Sequence, residues 1–349
     1  MLKVYHANLT KYFITFSLFH TFVFMKNNEM HWTVIVNPYA GSGKTLKKWE
    51  EAESLLSGRG VSFITVMPGG GLNVRALALR AASAGKRRFI AVGGDGTAHD
   101  VLAGIMAYVE TGKASISEFY LAVIPIGSGN DWLRTHNIPR KLDKVCELIC
   151  AESFVRQDVV KVECWNGKSM SELPVSTSYM LNIGGAAFDA RVCARVNSQK
   201  REGKRGKVLY FAAVIYILFK SGFFDITLKE DGKTVFDGLM YSTAFGTGRF
   251  SGGGMRQTPD AIIDDGLIDM TLFPSKLIPR KVYKLFSLFT GRINKIKDVV
   301  TGRASEYDLI PKPDTPPVKI EVDGEVVGTA PLRMTVLKDQ IMVLHNSGI

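Results

Sequence analysis

The stretch 32-WTVIVNPYAGSGKT-45 joins a strand-like apolar run to a glycine-rich turn that ends in Lys44 and Thr45. These are the residue types of a phosphate-binding P-loop, whose spacing is G-x-x-x-x-G-K-[ST]. Counted back from Gly43, that spacing requires a glycine where this chain has Pro38. Proline fixes φ and has no N–H to offer a phosphate. The stretch is therefore not a P-loop, although it still predicts a strand followed by a glycine-rich turn.

The size and charge of the chain narrow the range of partners. It has 349 residues, which is enough for two domains. Its formal net charge of +11 favours contact with nucleotide phosphates or an anionic membrane face, although a simply basic surface remains an alternative. We expect no nucleic-acid partner, because zinc patterns, RNA-binding aromatic motifs and long basic arms are lacking. Four cysteines without metal-ligand spacing indicate a reduced, cytoplasmic protein.

Residues 1–30 differ from the rest of the chain. The run 12-YFITFSLFHTFVFM-25 is apolar, but it is too short to span a bilayer and no small-residue cleavage site follows it. It is compatible with a signal-like segment, a membrane-associating extension, a disordered extension or a start codon assigned too early. The last two are favoured, since Met25 and Met30 directly precede the first strand.

Between residues 31 and 157, short apolar runs alternate with helix-like stretches. The runs are 32–37, 61–67, 88–93 and 120–127, and the helix-like stretches include 44–60 and 73–85. In the first of these stretches Leu46, Trp49, Ala52, Leu55 and Leu56 recur at helical spacing. This alternation predicts an α/β domain built on a parallel sheet.

From residue 158 to about 335 the pattern changes to apolar runs punctuated by turn dipeptides such as Asp231-Gly232 and Asp323-Gly324. This spacing of short runs and turns predicts an antiparallel β-sandwich. One predicted helix, over residues 206–222, interrupts it.

Three glycine-rich loops follow predicted strands of the first domain: 37-NPYAGSG-43, 93-GGDGTAHDV-101 and 126-IGSGND-131. Ligands bind at the carboxyl ends of parallel strands, and backbone N–H groups at such turns hold phosphates. A tight turn would explain one such loop equally well. Three in one domain predict a nucleotide-binding cradle.

The carboxylates near these loops have two interpretations each. Asp95 would be repelled by bound phosphates unless a cation such as Mg²⁺ lay between them, but it could equally form an Asx turn or cap a helix. Asn130 and Asp131 have the same two interpretations. Asp323-Gly324 is typical of a hairpin turn, which would leave Glu325 as a solvated strand residue rather than a general base.

Together the loops resemble the diacylglycerol kinase catalytic-domain family, which includes bacterial lipid kinases and is related to the sphingosine and ceramide kinases. The matching segments are 37-NPYAGSGK-44, 93-GGDGT-97, 125-PIGSGNDWLR-134, 182-NIGGAAFDA-190, 252-GGGMRQTPDAIIDDGLIDM-270 and 322-VDGE-325. The GGDGT motif alone is not specific, because NAD kinases and phosphofructokinases have similar motifs. The other segments restrict the resemblance to the diacylglycerol kinase catalytic-domain family.

The resemblance implies transfer of the ATP γ-phosphate, with Mg²⁺, to the hydroxyl of a lipid such as diacylglycerol. It implies an α/β nucleotide-binding domain resembling those of NAD kinase and phosphofructokinase, a C-terminal β-sandwich and an active site in the cleft between them. A strand within 336–349 is expected to return to the first domain. The enzyme is expected to be cytoplasmic and to contact membranes transiently as a peripheral protein. Members of the family are often dimers, so a homodimer is also expected.

The resemblance also implies roles for individual residues. The nucleotide-contacting positions are Asn37, Gly41, Gly43, Lys44, Thr65, Gly93, Gly94, Asp95, Gly96, Thr97, His99, Ser128 and Asn130. The carboxylates that organise Mg²⁺ are Asp95, Asp131 and Asp158, and a second Mg²⁺ is implied at the Asp265 side chain and the carbonyls of Ile262 and Leu267. Glu325 matches the general base, with Asp323 close by. His99 and Ser128 replace the asparagine and threonine that are usual in the family.

The basic run 200-KREGKRGK-207 directly precedes the apolar segment 208-VLYFAAVIYILF-219. The pair fits an interfacial contact with anionic lipids, or equally a buried helix beside a solvated loop. Two other functions stay open: a soluble-metabolite kinase of the NAD kinase type, and a nucleotide-binding protein without catalysis.

Overall fold

The computed structural model describes residues 31–126, 130–202, 212–214, 216–217, 220, 222–275 and 287–348. The described residues form two compact units. The first contains 31–126, 137–155 and 341–348, and the second contains 130–136 together with the described part of 156–340. The predicted extension 1–30, Ser128 and most of the segment 200–219 lie outside the described residues, and the exact domain limits given above stay predictions.

The strands and helices are numbered in chain order. The strands are β1 (Trp32–Val36), β2 (Phe63–Val66), β3 (Arg88–Gly93), β4 (Tyr120–Pro125), β5 (Phe154–Gln157), β6 (Val160–Cys164), β7 (Ser176–Met180), β8 (Ile183–Ala187), β9 (Phe224–Glu230), β10 (Lys233–Gly246), β11 (Ile268–Pro274), β12 (Val300–Ala304), β13 (Glu306–Pro311), β14 (Lys319–Val322), β15 (Glu325–Thr329), β16 (Leu332–Val336) and β17 (Ile341–Leu344). The helices are α1 (Thr45–Gly58), α2 (Val74–Ser83), α3 (Asp95–Val109), α4 (Asp131–Thr135), α5 (Leu142–Cys150) and α6 (Phe188–Arg201).

The first unit is an α/β unit around one sheet, as predicted. The described strands follow the order β2–β1–β3–β4–β17–β5, and the pairs from β2 to β17 are parallel. Every residue of β1 and β3 is buried, as is typical of parallel strands that are covered on both faces. β17 comes from the end of the chain and pairs with β4, so the chain returns to this sheet after it has built the second unit.

Helix α1 confirms the helical spacing in the sequence. Leu46, Trp49, Ala52 and Leu56 are all buried on one side of it. The chain leaves the helix through Gly60, whose φ of +75° is one that side chains rarely adopt.

Helices α2 and α3 pack closely through a glycine. A Cβ atom on Gly104 of α3 would lie 2.3 Å from the carbonyl oxygen of Arg75 and 2.6 Å from Cβ of Ala78, both on α2. Helix α3 begins immediately after β3, so this packing fixes the helix whose first turn follows the second glycine-rich loop.

The second unit is an antiparallel β-sandwich, which the run-and-turn pattern predicted. The described strands follow the order β15–β14–β8–β10–β9–β13–β16–β6–β7, with β11 and β12 continuing from β10. Its core includes Met180, Phe245, Tyr307 and Ile320, all nearly inaccessible to solvent. The described residues at 212–214, 216–217 and 220 are helical, within the predicted helix 206–222.

The strand boundaries differ from the predicted runs in two places. The run 177–185 is divided into β7 and β8, because the backbone N–H groups of Leu181 and Asn182 bind the carboxylate of Asp323 instead of a neighbouring strand. The run 318–328 is the hairpin β14–β15, and its turn has φ of +49° at Asp323 and +90° at Gly324. The predicted hairpin turn is therefore confirmed.

Gly104 offers a direct test of the α2–α3 packing. Gly104→Ala adds a methyl group that meets the backbone of α2, and overpacking of this kind costs about 1–3 kcal/mol of unfolding free energy. Gly58→Ala is the matched control, because a Cβ there meets no atom within 4 Å. We expect thermal or urea unfolding to show a clear loss for Gly104→Ala and little change for Gly58→Ala. Equal stability of the two variants would contradict the close packing.

Candidate functional site

The loops that follow β1, β3 and β4 are hydrogen-bonded to one another in the first unit. The Asn37 side-chain amide donates to Oγ1 of Thr97 at 3.1 Å, and the Asn37 backbone N–H donates to the carbonyl of Val92 at 3.1 Å. The backbone N–H of Ile126 donates to the carbonyl of Gly93 at 2.6 Å. β1, β3 and β4 are neighbours in the sheet, so the predicted loops form one continuous edge at their carboxyl ends. We call the loop residues 37–44, 93–99 and 126 the loop edge.

Two glycines allow the loop edge to close. Gly41 has φ of +56°, and a Cβ there would lie 2.5 Å from the carbonyl oxygen of Ile126. A Cβ on Gly93 would lie 2.2 Å from Oγ1 of Thr97. Side chains at either position would push the loops apart, so the glycines are required by close approach and not only by turn conformation.

The polarity of the loop edge suits an anion. Helix α3 starts at Asp95 with Gly94 as its N-cap, so the positive end of its dipole lies at this edge. Lys44 is the exposed N-cap of α1. Backbone N–H groups, a helix N-terminus and a lysine together favour phosphate groups.

The other predicted nucleotide residues of the first unit have different surroundings. Thr65 lies in β2 opposite Val34 of β1 and is half-buried. His99 is buried within α3, with 5% of its surface exposed. Asp95 is the first residue of α3 and not its N-cap, so the capping alternative does not describe it.

Asp131 belongs to the second unit and is committed to hydrogen bonds there. Its Oδ2 accepts the backbone N–H of Gly253 at 2.6 Å, and its Oδ1 lies 3.2 Å from Nε of Arg134. The residue before it, Asn130, has φ of +54° and is the N-cap of α4. These contacts fix the glycine-rich turn at 252–254.

Asp158 holds a different turn of the second unit. Its Oδ2 accepts the backbone N–H of Gly266 at 2.8 Å, and its Oδ1 accepts the side-chain amide of Gln340 at 2.8 Å. The backbone N–H of Asp158 donates to the carbonyl of Ile263 at 2.7 Å. Burial raises the pKa of Asp158, and the hydrogen bonds from Gln340 and Gly266 lower it. Both oxygens therefore stabilise the 262–267 turn.

The arginine at position 303 neutralises the same turn. Its guanidinium donates to Oδ2 of Asp265 and lies 3.2 Å from Oδ2 of Asp269, while the backbone N–H of Leu267 donates to Oδ1 of Asp265 at 3.1 Å. Burial raises the pKa of Asp269 to about 6, and Arg303 opposes that shift.

A metal ion on Asp265 would compete with Arg303 for the carboxylate, because both of its oxygens already accept a hydrogen bond. Within the residues that the structure describes, no group of three or more His, Cys, Asp and Glu side chains is placed to hold a metal. The metal site predicted at Ile262, Asp265 and Leu267 stays a prediction and is given no role in the reaction. A single metal site formed by Asp95, Asp131 and Asp158 likewise stays a prediction.

The turn 323–325 carries the predicted base. The carboxylate of Asp323 accepts the backbone N–H groups of Leu181 at 2.9 Å and Asn182 at 3.0 Å. Glu325 starts β15 and is exposed, and its Oε2 accepts the side-chain amide of Asn197 at 3.3 Å. Asp323 therefore fixes the turn, and Glu325 presents a solvent-accessible carboxylate.

The sequence analysis missed two carboxyl groups behind this turn, the buried Glu321 and the half-buried Asp189. Glu321 of β14 is 8% exposed, and its Oε2 accepts the backbone N–H of Gly324 at 3.0 Å. Asp189, in the first turn of α6, accepts hydrogen bonds from Ser242 at 2.6 Å and Gln257 at 2.8 Å. Asp189 lies in the segment 182-NIGGAAFDA-190, whose resemblance to the family could have identified it as a candidate site residue. No sequence pattern around Glu321 distinguishes it from other strand residues.

Comparison with known proteins gives consistent matches to both units. The family model described as the diacylglycerol kinase catalytic domain matches residues 31–162. The model described as the YegS C-terminal NAD kinase beta sandwich-like domain matches residues 183–345. A diacylglycerol kinase of Mycobacterium tuberculosis is 26% identical over 324 residues, which cover 90% of this chain and 94% of that protein.

Solved structures share the fold. A crystal structure from Bacillus anthracis described as a diacylglycerol kinase aligns with a TM-score of 0.65 at 18% identity, covering 92% of this chain and 98% of that one. A second structure from the same organism aligns with a TM-score of 0.70 at 21% identity, covering 92% and 99%. Within the described ranges of this chain, no helix is long and apolar enough to cross a membrane.

The ion pairs of Arg303 predict how the second unit responds to divalent cations. Because Arg303 already neutralises Asp265 and Asp269, we expect the wild-type Tm to change by no more than about 1 °C between EDTA and millimolar Mg²⁺. Arg303→Gln leaves the two carboxylates without their cation, so its Tm should be lower and should partly recover with Mg²⁺.

Arg333→Gln is the control, because Arg333 pairs with Asp308 at 2.7 Å on another part of the same unit. It should lose stability without recovering in Mg²⁺. A wild-type Tm that rises by several degrees with Mg²⁺ would show that a cation displaces Arg303 from Asp265.

Proposed function

Because the chain belongs to the diacylglycerol kinase catalytic-domain family, we propose that it transfers the γ-phosphate of ATP to the hydroxyl of a lipid such as diacylglycerol. The observation that carries this proposal is the loop edge of the first unit, where Asn37, Gly41, Gly93 and Thr97 are brought together. The proposal needs both units: the first to hold ATP and the second to supply the base.

In this proposal the loop edge binds the triphosphate of ATP. Phosphoryl transfer depends on positioning and on neutralising the charge of the phosphate oxygens. Backbone N–H groups of the loops, the first turn of α3 and Lys44 are the groups of this edge that supply positive potential. Thr65, His99, Ser128 and Asn130 are assigned to the nucleotide on the family resemblance alone. Within the part of the chain that the structure describes, no hydrogen bond or distance supports that assignment.

Magnesium enters the proposal with ATP, where it neutralises the phosphate oxygens when bound. Asp95 fits a place next to that cation, since it begins α3 between Gly94 and Gly96 on the loop edge. Asp158 fits less well, because its two oxygens accept hydrogen bonds from Gly266 and Gln340. Asp131 fits less well because one oxygen accepts the Gly253 N–H and the other is paired with Arg134. We assign both a structural role.

Glu325 is the proposed general base. An acceptor hydroxyl must lose its proton as the new bond to phosphorus forms, and a positioned carboxylate contributes about 10²–10⁴ in rate. Glu325 is exposed and therefore accessible to a substrate, and Asn197 on α6 restrains its carboxylate. Asp323 supports it by holding the turn through Leu181 and Asn182.

The lipid acceptor is supported by the name of the mycobacterial relative, a diacylglycerol kinase. A diacylglycerol resides in a bilayer, so the proposal includes transient, peripheral contact of a cytoplasmic enzyme with a membrane surface. A role in phospholipid biosynthesis follows from the same acceptor. A homodimer stays a prediction.

The proposal is tested with radiolabelled ATP, Mg²⁺ and diacylglycerol in detergent micelles, with NAD as an alternative acceptor in parallel reactions. Wild type should label the lipid and not NAD. Glu325→Gln should lower kcat by about 10²–10⁴ with an unchanged Tm, because an amide cannot take the proton. Glu172→Gln, an exposed control on the same unit, should retain full activity.

Two results would count against the proposal. Labelling of NAD without labelling of any lipid would assign the chain to soluble-metabolite kinases. Full activity of Glu325→Gln would keep the lipid-kinase function and remove Glu325 as its base.

A further inference from the structure

The backbone of Gly324, directly before the proposed base, is held at both its N–H and its carbonyl group. Its N–H donates to Oε2 of Glu321 at 3.0 Å. Its carbonyl accepts the side-chain amide of Asn197 at 3.0 Å and the thiol of Cys193 at 2.8 Å. Glu321 thus holds the peptide between residues 323 and 324, and Asn197 and Cys193 hold the next one, between residues 324 and 325. The orientation of these two peptides determines where the backbone of Glu325 starts, so the groups that hold them control the position of Glu325.

The carboxyl of Glu321 shares a buried pocket with the carboxyl of Asp189. The pocket exists because residue 185 is a glycine: a Cβ there would lie 3.2 Å from Oε1 of Glu321 and 2.7 Å from Cβ of Asp189. β14 pairs with β8 at Glu321 and Gly185, and α6 packs against both strands. Glu321 therefore points away from the sandwich core and is covered by the helix.

Two neighbouring carboxyl groups, of which Glu321 is buried and Asp189 half-buried, cannot both be ionised at low cost. Burial raises the pKa of Glu321 well above its ordinary value, and the charge of Asp189 raises it further, while the hydrogen bond from Gly324 lowers it. Burial also raises the pKa of Asp189, which hydrogen bonds from Ser242 and Gln257 lower. Asp189 has a donor on each oxygen, so we place the shared proton on Glu321.

We propose that Glu321 is a positioning residue for the reaction: as a neutral carboxyl beside Asp189, it holds the Gly324 N–H and thereby sets the orientation of Glu325. This inference rests on the proposed function for its effect on the reaction. Its structural half, a neutral buried carboxyl that holds the hairpin turn, is independent of that function.

The buried proton gives a signature in stability. The ordinary pKa of Glu321 is 4.5, and the folded protein keeps the proton above that pH while the unfolded chain loses it. The folded state then binds more protons than the unfolded state, so stability falls as pH rises from about 4.5 towards the raised pKa. The titratable groups that face Glu321 are Asp189 on α6, and Asp323 and Glu325 on the hairpin.

Glu321→Gln separates this account from a simple structural role. Glutamine is neutral at every pH and still accepts the Gly324 N–H through its carbonyl oxygen. We expect its Tm to equal that of wild type near pH 4.5 and to exceed it at pH 8. Its kcat should stay within about threefold of wild type. If ionisation of Glu321 lowers the kcat of wild type at alkaline pH, that decrease should be absent in Glu321→Gln.

Glu321→Ala removes the acceptor. We expect kcat to fall by about 10–100-fold with KM for ATP nearly unchanged, because the base is misplaced while the loop edge is intact. Amide hydrogen exchange of a peptide covering 323–325 should speed up in this variant and not in Glu321→Gln. Glu163→Gln, which removes a charge paired with Lys161 elsewhere in the second unit, is the control for both measurements.

The outcomes distinguish the two proposals. A Glu321→Gln protein that is less stable than wild type at pH 8 would show that an ionised carboxylate is needed, and would overturn the inference. So would a Glu321→Ala protein with unchanged kcat and unchanged exchange at 323–325. If wild type phosphorylates no lipid, the proposed function fails, while the pH dependence of Tm and the exchange data still decide whether Glu321 is neutral and holds the turn.

Discussion

The hydrogen bond from the side chain of Asn37 to the hydroxyl of Thr97 joins the ends of two neighbouring strands, and the rest of the first unit is arranged around that contact. It requires β1 and β3 to be adjacent and parallel, so that both loops emerge at one edge. It also requires a glycine at position 93, because a Cβ there would occupy the place of the Thr97 hydroxyl. The bond from Ile126 to Gly93 extends the edge to β4. These hydrogen bonds and the missing side chain of Gly93 thus join the glycine-rich turns after β1 and β3, together with Ile126 after β4, into one surface of backbone donors.

In the first unit the loops present backbone N–H donors, whereas in the second unit carboxylates accept hydrogen bonds from backbone N–H groups. Asp131, Asp158 and Asp323 each accept backbone N–H groups from a turn that lies far along the chain. Hydrogen bonds to a charged acceptor are stronger than neutral ones, so each aspartate fixes a distant backbone segment in place. Because these carboxylates are engaged by backbone N–H groups, the proposed proton transfer is assigned to Glu325, which is exposed.

Local patterns in the sequence predicted what depends on local physics. The helical spacing of Leu46, Trp49 and Leu56 predicted α1, because its buried face has the period of a helix. The Asp323-Gly324 dipeptide predicted the hairpin turn, because both residues tolerate positive φ. The parallel sheet followed from buried apolar runs separated by helical stretches.

Features that depend on distant residues could not be predicted in this way. Glu321 alternates with the core residues Ile320 and Val322, so the pattern places it on a solvated face. That face is instead covered by α6, and Gly185 makes room for the carboxyl. No local pattern connects Arg303 with Asp265, which lies on the neighbouring turn only after β11 and β12 pair. The division of the run 177–185 into two strands likewise depends on Asp323, which comes more than a hundred residues later.

Amide hydrogen exchange with and without a non-hydrolysable ATP analogue and Mg²⁺ would show whether the loop edge binds a nucleotide. We expect slower exchange in peptides covering residues 37–44 and 93–99, since ATP phosphates would accept hydrogen bonds from their N–H groups. Peptides from β9 in the second unit serve as the internal reference, with exchange unchanged. Binding of the analogue without protection of 37–44 and 93–99 would contradict the account.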